Sequence, residues 1–452
     1  MFRHSLFTKL LVTGLLTLLL LIPLAMIHGV VTERSQYRSA VINDVTQSWT
    51  GAQTLTSPLL LIPYEYRSTK ERRGGGTDRT FTEYQKGTAF LVLMAEQLNM
   101  RAALAVEQRS RGIYSVPVYD GDYKISGAFD LSLLAAKQRD IPGFVEWKTP
   151  RLIVPISDLR GIGANPKLSI AEEHHQIEPG SSLPSLGNGI HASLDNLSLD
   201  GQLPFDIALN LRGSVSLNFI PLAGTTSLTL SANWPHPKFV GRFLPVTRTI
   251  SDSGFEAAWQ VSDFSTGAGD MLERCTVDHC ADFYRIMLGV DLIETVDIYT
   301  RADRATKYGA MFVILTFVAF FLTETLTQKR LHSMHYLLVG GALTMFYLLL
   351  VSFAEHIGFG PAYTIATLAC SGLIGIYLTA VLGARRHGAT FAGAIGILYS
   401  MLFVILHSED YALLMGTLLL FMVLALLMLS TRHTDWVAVS TSMRAADRTS
   451  DA

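Results

Sequence analysis

The sequence predicts a membrane protein of six transmembrane α-helices, one N-terminal and five C-terminal, with a large mainly-β domain inserted between the first and the second. Three observations predict it. Residues 10–31 form one uncharged apolar run near the start. The interval 32–307 contains no run of membrane length and alternates in the manner of strands. Five further apolar runs then follow closely, at 308–326, 335–353, 362–382, 390–406 and 411–429. Each run is about 17–22 residues, enough to cross a hydrocarbon core of about 30 Å as a helix.

The start, 1–9, carries Arg3 and Lys9. The run 10–31 is longer than the apolar core of a signal peptide, and no small-x-small cleavage pair follows it, so it reads as an uncleaved anchor. Pro23 within it is expected to kink the helix. Lys329 and Arg330 follow the second run, Arg385 and Arg386 follow the fourth, and Arg432, Arg444 and Arg448 lie in the tail, 430–452. The alternate turns hold Glu355 and His356, then Glu409 and Asp410, with no Lys or Arg. Basic flanks stay cytoplasmic. Both termini and the basic turns are therefore expected inside, and the acidic turns and the large domain outside. Glu355 and His356 are expected to be solvated.

Within the domain, alternation marks strands at 59–66, 100–106, 113–118, 123–129, 152–156, 205–211, 215–220, 227–232 and 255–261. Tyr119-Asp120-Gly121-Asp122 reads as a hairpin turn, and Arg212-Gly213 as a second. Residues 131–139 read as a short helix after Asp130. Arg72-Arg73-Gly74-Gly75-Gly76 and the stretch 178–189 read as solvent loops. The pattern points to a β sandwich or open barrel. From 32 to 305 there are 26 basic and 31 acidic residues, a net of −5, and the remainder has 10 and 7, a net of +3. A weakly acidic domain lacks the basic footprint of a nucleic-acid binder.

Candidate sites are few. Cys275 and Cys280, with four residues between them, suit a disulfide in an oxidising compartment. Two free thiols, or a metal loop with Asp278 and His279, are the other readings, and the loop lacks zinc spacing. Cys370 reads as a packing residue. Glu324 is the carboxylate inside an apolar run, which suggests either proton or substrate handling or an interfacial pair with Lys329 and Arg330. Asp303, Arg304, Lys307 and Tyr308 stand where the domain meets the second span. They suit either the headgroup level or a joint that couples domain to bundle. His174 and His175 with Glu178 nearly spell an inverted zinc-protease helix, but Pro179-Gly180 denies the helix and leaves a loop. His236, between two prolines, reads as part of a rigid turn. Ser371 with Gly375, Ala389 with Gly393, and Gly340-Gly341 permit close helix packing. No nucleophile elbow, phosphate loop or zinc helix is present, and no cofactor is implied.

Several stretches resemble the CreD family of bacterial inner-membrane proteins. They are Val31-Thr32-Glu33-Arg34 with Tyr37-Arg38-Ser39, Asp158-Leu159-Arg160-Gly161-Ile162-Gly163, Asn233-Trp234-Pro235-His236-Pro237-Lys238-Phe239 with Ser253-Gly254-Phe255, and Asp303-Arg304-Ala305-Thr306-Lys307-Tyr308. Residues 321–326, His332, Tyr336-Leu337-Leu338-Val339-Gly340 and Phe346-Tyr347-Leu348 add to them. The resemblance implies a periplasmic domain, a place in the inner membrane, and a role in envelope integrity or stress response. It carries over no catalytic residue and no ligand, and the cysteine pair lies outside it. The function expected is therefore non-enzymatic: a β-domain that binds a periplasmic protein, lipid or cell-wall component. The alternatives are a transporter or lipid- or glycan-handling carrier, and a membrane enzyme with a carboxylate-lined cleft. Oligomeric state is not legible.

Overall fold

A computed structural model describes residues 6–73, 80–183, 186–195, 197–274, 281–292, 298–327, 332–383, 385–408 and 411–432. The chain forms two compact units. One comprises Met1–Ser39 and Val296–Ala452, the other Ala40–Thr295.

The helical unit holds the first part of α1 (Leu6–Ser48), whose last turns, from Ala40, belong to the other unit. The apolar run thus ends near Val31, but the helix continues for four more turns of polar sequence. Beyond the β unit come α5 (Ile298–Thr327), α6 (Ser333–Ile357), α7 (Phe359–Leu382), α8 (Arg385–His407) and α9 (Ala412–Thr431). Among the described residues, five helices are long and apolar enough to cross a membrane, and the apolar part of α9, Leu413–Leu429, is shorter. Leu15, Leu18, Ile376, Leu413 and Phe421 are exposed on these helices, as lipid-facing side chains are. Inside, Phe312, Phe346, Tyr347, Tyr363 and Tyr399 stack into one aromatic core, with Phe346 and Tyr399 centroids 4.1 Å apart.

Small residues set the α7–α8 crossing. A Cβ on Gly375 would lie 2.7 Å from Ala392 Cβ, and one on Gly388 would strike Thr379 Oγ1 and sit 2.6 Å from the Gly375 carbonyl. The small pair that faces α7 is therefore Gly388 and Ala392, one residue off the expected Ala389 and Gly393, which are exposed. Both pairs have the same spacing, so spacing alone does not choose the buried face.

The β unit contains β1 (Gln53–Thr56), β2 (Leu59–Arg73), β3 (Thr80–Arg111), β4 (Tyr114–Asp130), α2 (Leu134–Asp140), β5 (Phe144–Trp147), β6 (Arg151–Pro155), β7 (Lys167–Ile170), β8 (Glu173–His175), β9 (Glu178–Pro179), β10 (Gly189–Ser193), β11 (Gln202–Ser214), β12 (Ser216–Ile220), β13 (Ala223–Ala232), β14 (Pro237–Gly241), β15 (Thr247–Ser251), β16 (Gly254–Ser262), α3 (Asp263–Thr266), α4 (Ala268–Glu273) and β17 (Leu288–Leu292). Among the described residues, thirteen strands form one sheet along the path β8-β7-β11-β4-β3-β2-β6-β10-β9, with β13, β16 and β15 branching from β3 and β5 from β2. Four more form a second sheet, β1-β12-β17-β14. The long β3 pairs β2 through its first half and β4 and β13 through its second. Alternation along β11 buries Leu203, Phe205, Ile207, Leu209 and Leu211, each worth about 1.5–3 kcal/mol of transfer free energy.

Both expected hairpin turns are corrected. Asp120, Gly121 and Asp122 lie inside β4, and the turn comes earlier in the chain, at Gly112-Ile113, where Gly112 takes φ +65°. Gly121 serves close packing: a Cβ there would lie 2.7 Å from Leu104 and 2.8 Å from the Tyr123 ring. Asp120 and Asp122 point outward and accept hydrogen bonds from Asn210 on β11. Nor is Arg212-Gly213 a hairpin. β11 and β12 belong to different sheets, and Val215 at φ +64° turns the chain from one to the other. That conformation costs a β-branched residue about 1–2 kcal/mol. The Val215 amide donates to Pro117 O at 3.0 Å and its carbonyl accepts from Leu292 N at 2.7 Å, which holds it there. Residues Arg72 and Arg73 end β2 rather than a loop, whereas Gly74, Gly75 and Gly76 lie outside the described residues. His174 and His175 form β8, not a loop, because Ala171 and Glu172 at φ +47° and +71° close a tight turn from β7.

Candidate functional site

The residues expected at the junction before the second span lie on the first turns of α5. Asp303 Oδ1 accepts from His28 Nδ1 of α1 at 3.0 Å, and its Oδ2 pairs with Lys307 Nζ at 2.6 Å, one turn along the same helix. One turn before Asp303, the Tyr299 hydroxyl donates to Glu355 Oε1 at 2.9 Å, and Arg34 Nε of α1 lies 3.8 Å from the same oxygen. Arg301 sits 5.4 Å over the Phe359 ring at the start of α7. Six polar side chains from α1, α5 and α6 thus form two carboxylate-centred knots. Tyr308 packs half-buried against the bundle core, and Arg304 also makes a side-chain interaction.

Glu355 corrects the expectation of a solvated turn, since its side chain is 9% exposed. The reason is that α6 continues a turn past Phe353, which puts Glu355 on the face toward α5. A carboxylate so placed needs donors, because an unpaired buried charge costs several kcal/mol. His356 is exposed and bonds only its own helix, at Ser352 O. Glu324 lies on α5, but its side chain is outside the described residues, as are Cys275 and Cys280.

A second constellation, within the β unit, was not expected. Four arginines from distant segments converge on the last turns of α1. Arg160 Nη1 donates to the Gln47 carbonyl at 2.9 Å, which satisfies an orphan acceptor at the helix C-terminus. Arg111 pairs with Asp44. Arg109 lies 3.8 Å over the Trp49 ring and Arg212 5.8 Å from it. Cations suit the negative end of a helix dipole. Arg160 is itself held by Asp158 through bonds of 2.6–3.1 Å. Those guanidinium bonds, with backbone donors, hold the Asp158 carboxyl below its usual range, against the opposing effect of burial.

Beneath this grip lies Gln53, fully buried. Its Nε2 donates to the carbonyls of Asp158 at 2.9 Å and Arg212 at 3.0 Å, and its Oε1 accepts from Ser157 Oγ at 2.9 Å and Asp158 N at 3.3 Å. One side chain therefore joins β1, the 157–161 turn and the end of β11. Tyr119 packs on Gly213 beside it, its hydroxyl donating to Ser216 O at 3.0 Å, and burial pushes that hydroxyl far above the ordinary phenol range. The available sequence signals were Arg109 and Arg111 two apart on one strand face, and the Asp158-Leu159-Arg160 stretch. No pattern marked Gln53. Asn233 shows the same economy, its amide pairing both backbone groups of Val106 as a strand would.

Among the described residues no group of three or more His, Cys, Asp or Glu is placed to hold a metal ion. The candidate residues described above take part in packing and ion-pair contacts at helix ends. A family model described as inner membrane protein CreD matches residues 5–437. The chain belongs to the CreD family. It is 38% identical over 443 residues to the inner membrane protein CreD of Escherichia coli (strain K12), covering 97% of this chain and 96% of that one. Among solved structures, a substrate-bound M1 zinc metallopeptidase from Deinococcus radiodurans matches at 8% identity and a TM-score of 0.21, over 44% of this chain and 42% of that chain. That likeness is too slight to bear on fold or function. As a CreD-family member with several apolar spanning helices, the chain is a multi-pass inner-membrane protein.

Proposed function

We propose that this CreD-family protein is a non-enzymatic contributor to envelope integrity, whose β unit stands in the periplasm and binds an envelope component. The observation that carries the reading is the continuity of α1, which runs unbroken from an apolar span into the arginine-held joint of the β unit. A chain that enters and leaves its folded unit through membrane helices suits a receptor or strut held at the bilayer, and the two carboxylate knots suit the relay of a bound state. The basic flanks at Arg385 and Arg386 against the acidic turn at Glu409 and Asp410 support this orientation.

Three experiments test it. An impermeant maleimide on intact cells should label Tyr84→Cys and spare Arg386→Cys, and the opposite pattern would overturn the topology. Photo-crosslinkers at exposed β-unit positions such as Tyr84 and Val246 should capture a lipid, glycan or envelope protein in cells. Deletion of the gene should raise dye uptake across the envelope. Failure to capture anything from any position, with unchanged dye uptake, would overturn the reading.

A further inference from the structure

The solvent face of the larger sheet carries cations that have no counter-ion. Arg101 on β3 stands opposite Lys124 on β4, Lys124 opposite Ala208 on β11, and Ala208 opposite Lys167 on β7. One cross-strand row therefore places three positive charges over about 14 Å, given a strand spacing of about 4.8 Å. Among the described residues none of the three has an ion-pair partner. Of the neighbouring acids, Asp120 is held by Arg212 at 3.1 Å and Asp122 by Asn210 at 3.1 Å, and Asp206, one row away, forms no ion pair with them among the described residues.

The adjacent row is polar. Asn99, Ser126, Asp206, Ser169 and His174 follow one another in register across the same strands. This row lies two residues, about 7 Å, from the cations. Together the rows line an open cleft of about 650 Å³. Its outward-pointing side chains include no Phe, Tyr or Trp and a single imidazole at the edge, His174, so nucleic-acid bases find no run of stacking platforms. They include no long apolar chain either, so an acyl tail finds no bed. Like charges directly opposite one another destabilise a sheet, and small Ala208, Ser126 and Ser169 leave the row open from above.

We propose that this face binds an acidic saccharide. The row of Arg101, Lys124 and Lys167 would take its carboxylate or phosphate groups, while the row of Asn99, Ser126, Asp206 and Ser169 would exchange hydrogen bonds with its hydroxyls. The assignment rests on the reading that the β unit engages an envelope component, and it names the chemical class. Charge-assisted bonds from Arg and Lys hold such anions well, and Asp206 is suited to accept from a sugar hydroxyl and to reject a densely charged polymer.

The test uses the full chain in detergent micelles and titrates it with oligogalacturonate at low salt. Binding is expected for wild type, with a neutral maltooligosaccharide at least tenfold weaker. The double variant Arg101→Gln/Lys124→Gln should bind at least tenfold more weakly. Lys167→Gln alone should bind several-fold more weakly, and Arg248→Gln, on the edge strand β15, should bind as wild type. Unaltered melting curves would show that the folds are intact. Equal binding by the double variant, or equal binding of the neutral sugar, would overturn the proposal. So would row-dependent binding of phosphatidylglycerol vesicles without any binding of oligogalacturonate, since the ligand would then be a lipid surface. Crosslinks captured only away from the row would sink this inference and leave the envelope reading standing.

Discussion

Replacing Gln53 by Leu isolates the joint beneath α1. Leu has nearly the same volume, so little cavity is left, and what disappears is four hydrogen bonds at a site with no exposure to solvent. Ser157 Oγ keeps a partner, because it accepts from Thr54 N at 2.8 Å. The carbonyls of Asp158 and Arg212 lose their side-chain donor; the Asp158 carbonyl keeps the Gly161 amide at 3.2 Å, and a buried polar group left unpaired costs about 1–3 kcal/mol. The Asp158 amide bond is long at 3.3 Å and adds little. With the other lost bonds at about 0.5–1.5 kcal/mol each at most, the sum is about 2–4 kcal/mol. For a unit of this size a loss of 1 kcal/mol lowers Tm by about 2–4 °C, so the β-unit transition should fall by roughly 4–16 °C. Circular dichroism of the purified protein, followed at the strand signal, would measure it, with amide exchange at β1 and β11 reporting local opening. Gln53→Glu should be worse, because one carboxylate oxygen would face two carbonyls where an amide donates now. A fall of under 2 °C for the Leu variant would refute the argument that this side chain ties three segments together.

In the bundle, Gly388→Ala should destabilise by about 1–3 kcal/mol, since the added Cβ meets the backbone of α7, which cannot rotate away. Gly393→Ala, with open space around its Cβ, should be neutral or stabilise by up to about 1 kcal/mol; steric-trap unfolding in bicelles distinguishes the two, and equal effects would refute the assigned helix face. Two aspartates of the β unit should respond oppositely to pH. The Asp158 carboxyl is held low, so its pair with Arg160 stabilises above the unfolded value near 4 and is lost as pH falls through its folded value; Asp158→Asn should lower Tm at pH 7 and change little at pH 2. The Asp291 carboxyl is raised by burial, with Lys238 only partly opposing it, so stability falls as pH rises from the unfolded value through the folded one; Asp291→Asn should raise Tm at pH 7. Lys124→Gln removes one of two opposed cations and should raise Tm slightly, an effect that added salt diminishes.

What could be read from the chain beforehand, and what could not, follows from the range of the forces involved. The apolar runs were legible because crossing a bilayer demands composition alone, summed over a window, and no partner. Strands such as β11 were legible because one buried face imposes a period of two. The turns at Gly121 and Gly213 failed for a definite reason. Glycine serves two needs, a left-handed backbone or room for a neighbour, and here the neighbours include Leu104 and Tyr119, which come from other strands. Only Gly112 meets the first need at that ladder, and its partner in the turn, Ile113, carries no turn signal.

The joint was hidden for the same reason on a larger scale. The polar turns of α1 past Val31 have weak helical periodicity, and the grip on them comes from Arg109, Arg111, Arg160 and Arg212, some 60–170 positions further along. Each arginine alone reads as a solvated surface residue. Their common purpose appears only when strand register brings Arg109 and Arg111 to one face and the Gln53 knot fixes the Asp158 turn beside the end of β11. Glu355 and Asp303 follow the same logic in the helical unit: a carboxylate at a helix end is unremarkable until a second helix presents His28 or Arg34 to it. Sites made of pairwise charge and hydrogen-bond closure across long loops leave no local spacing to recognise, so the parts of this protein that join its elements are those that its sequence, taken alone, conceals best.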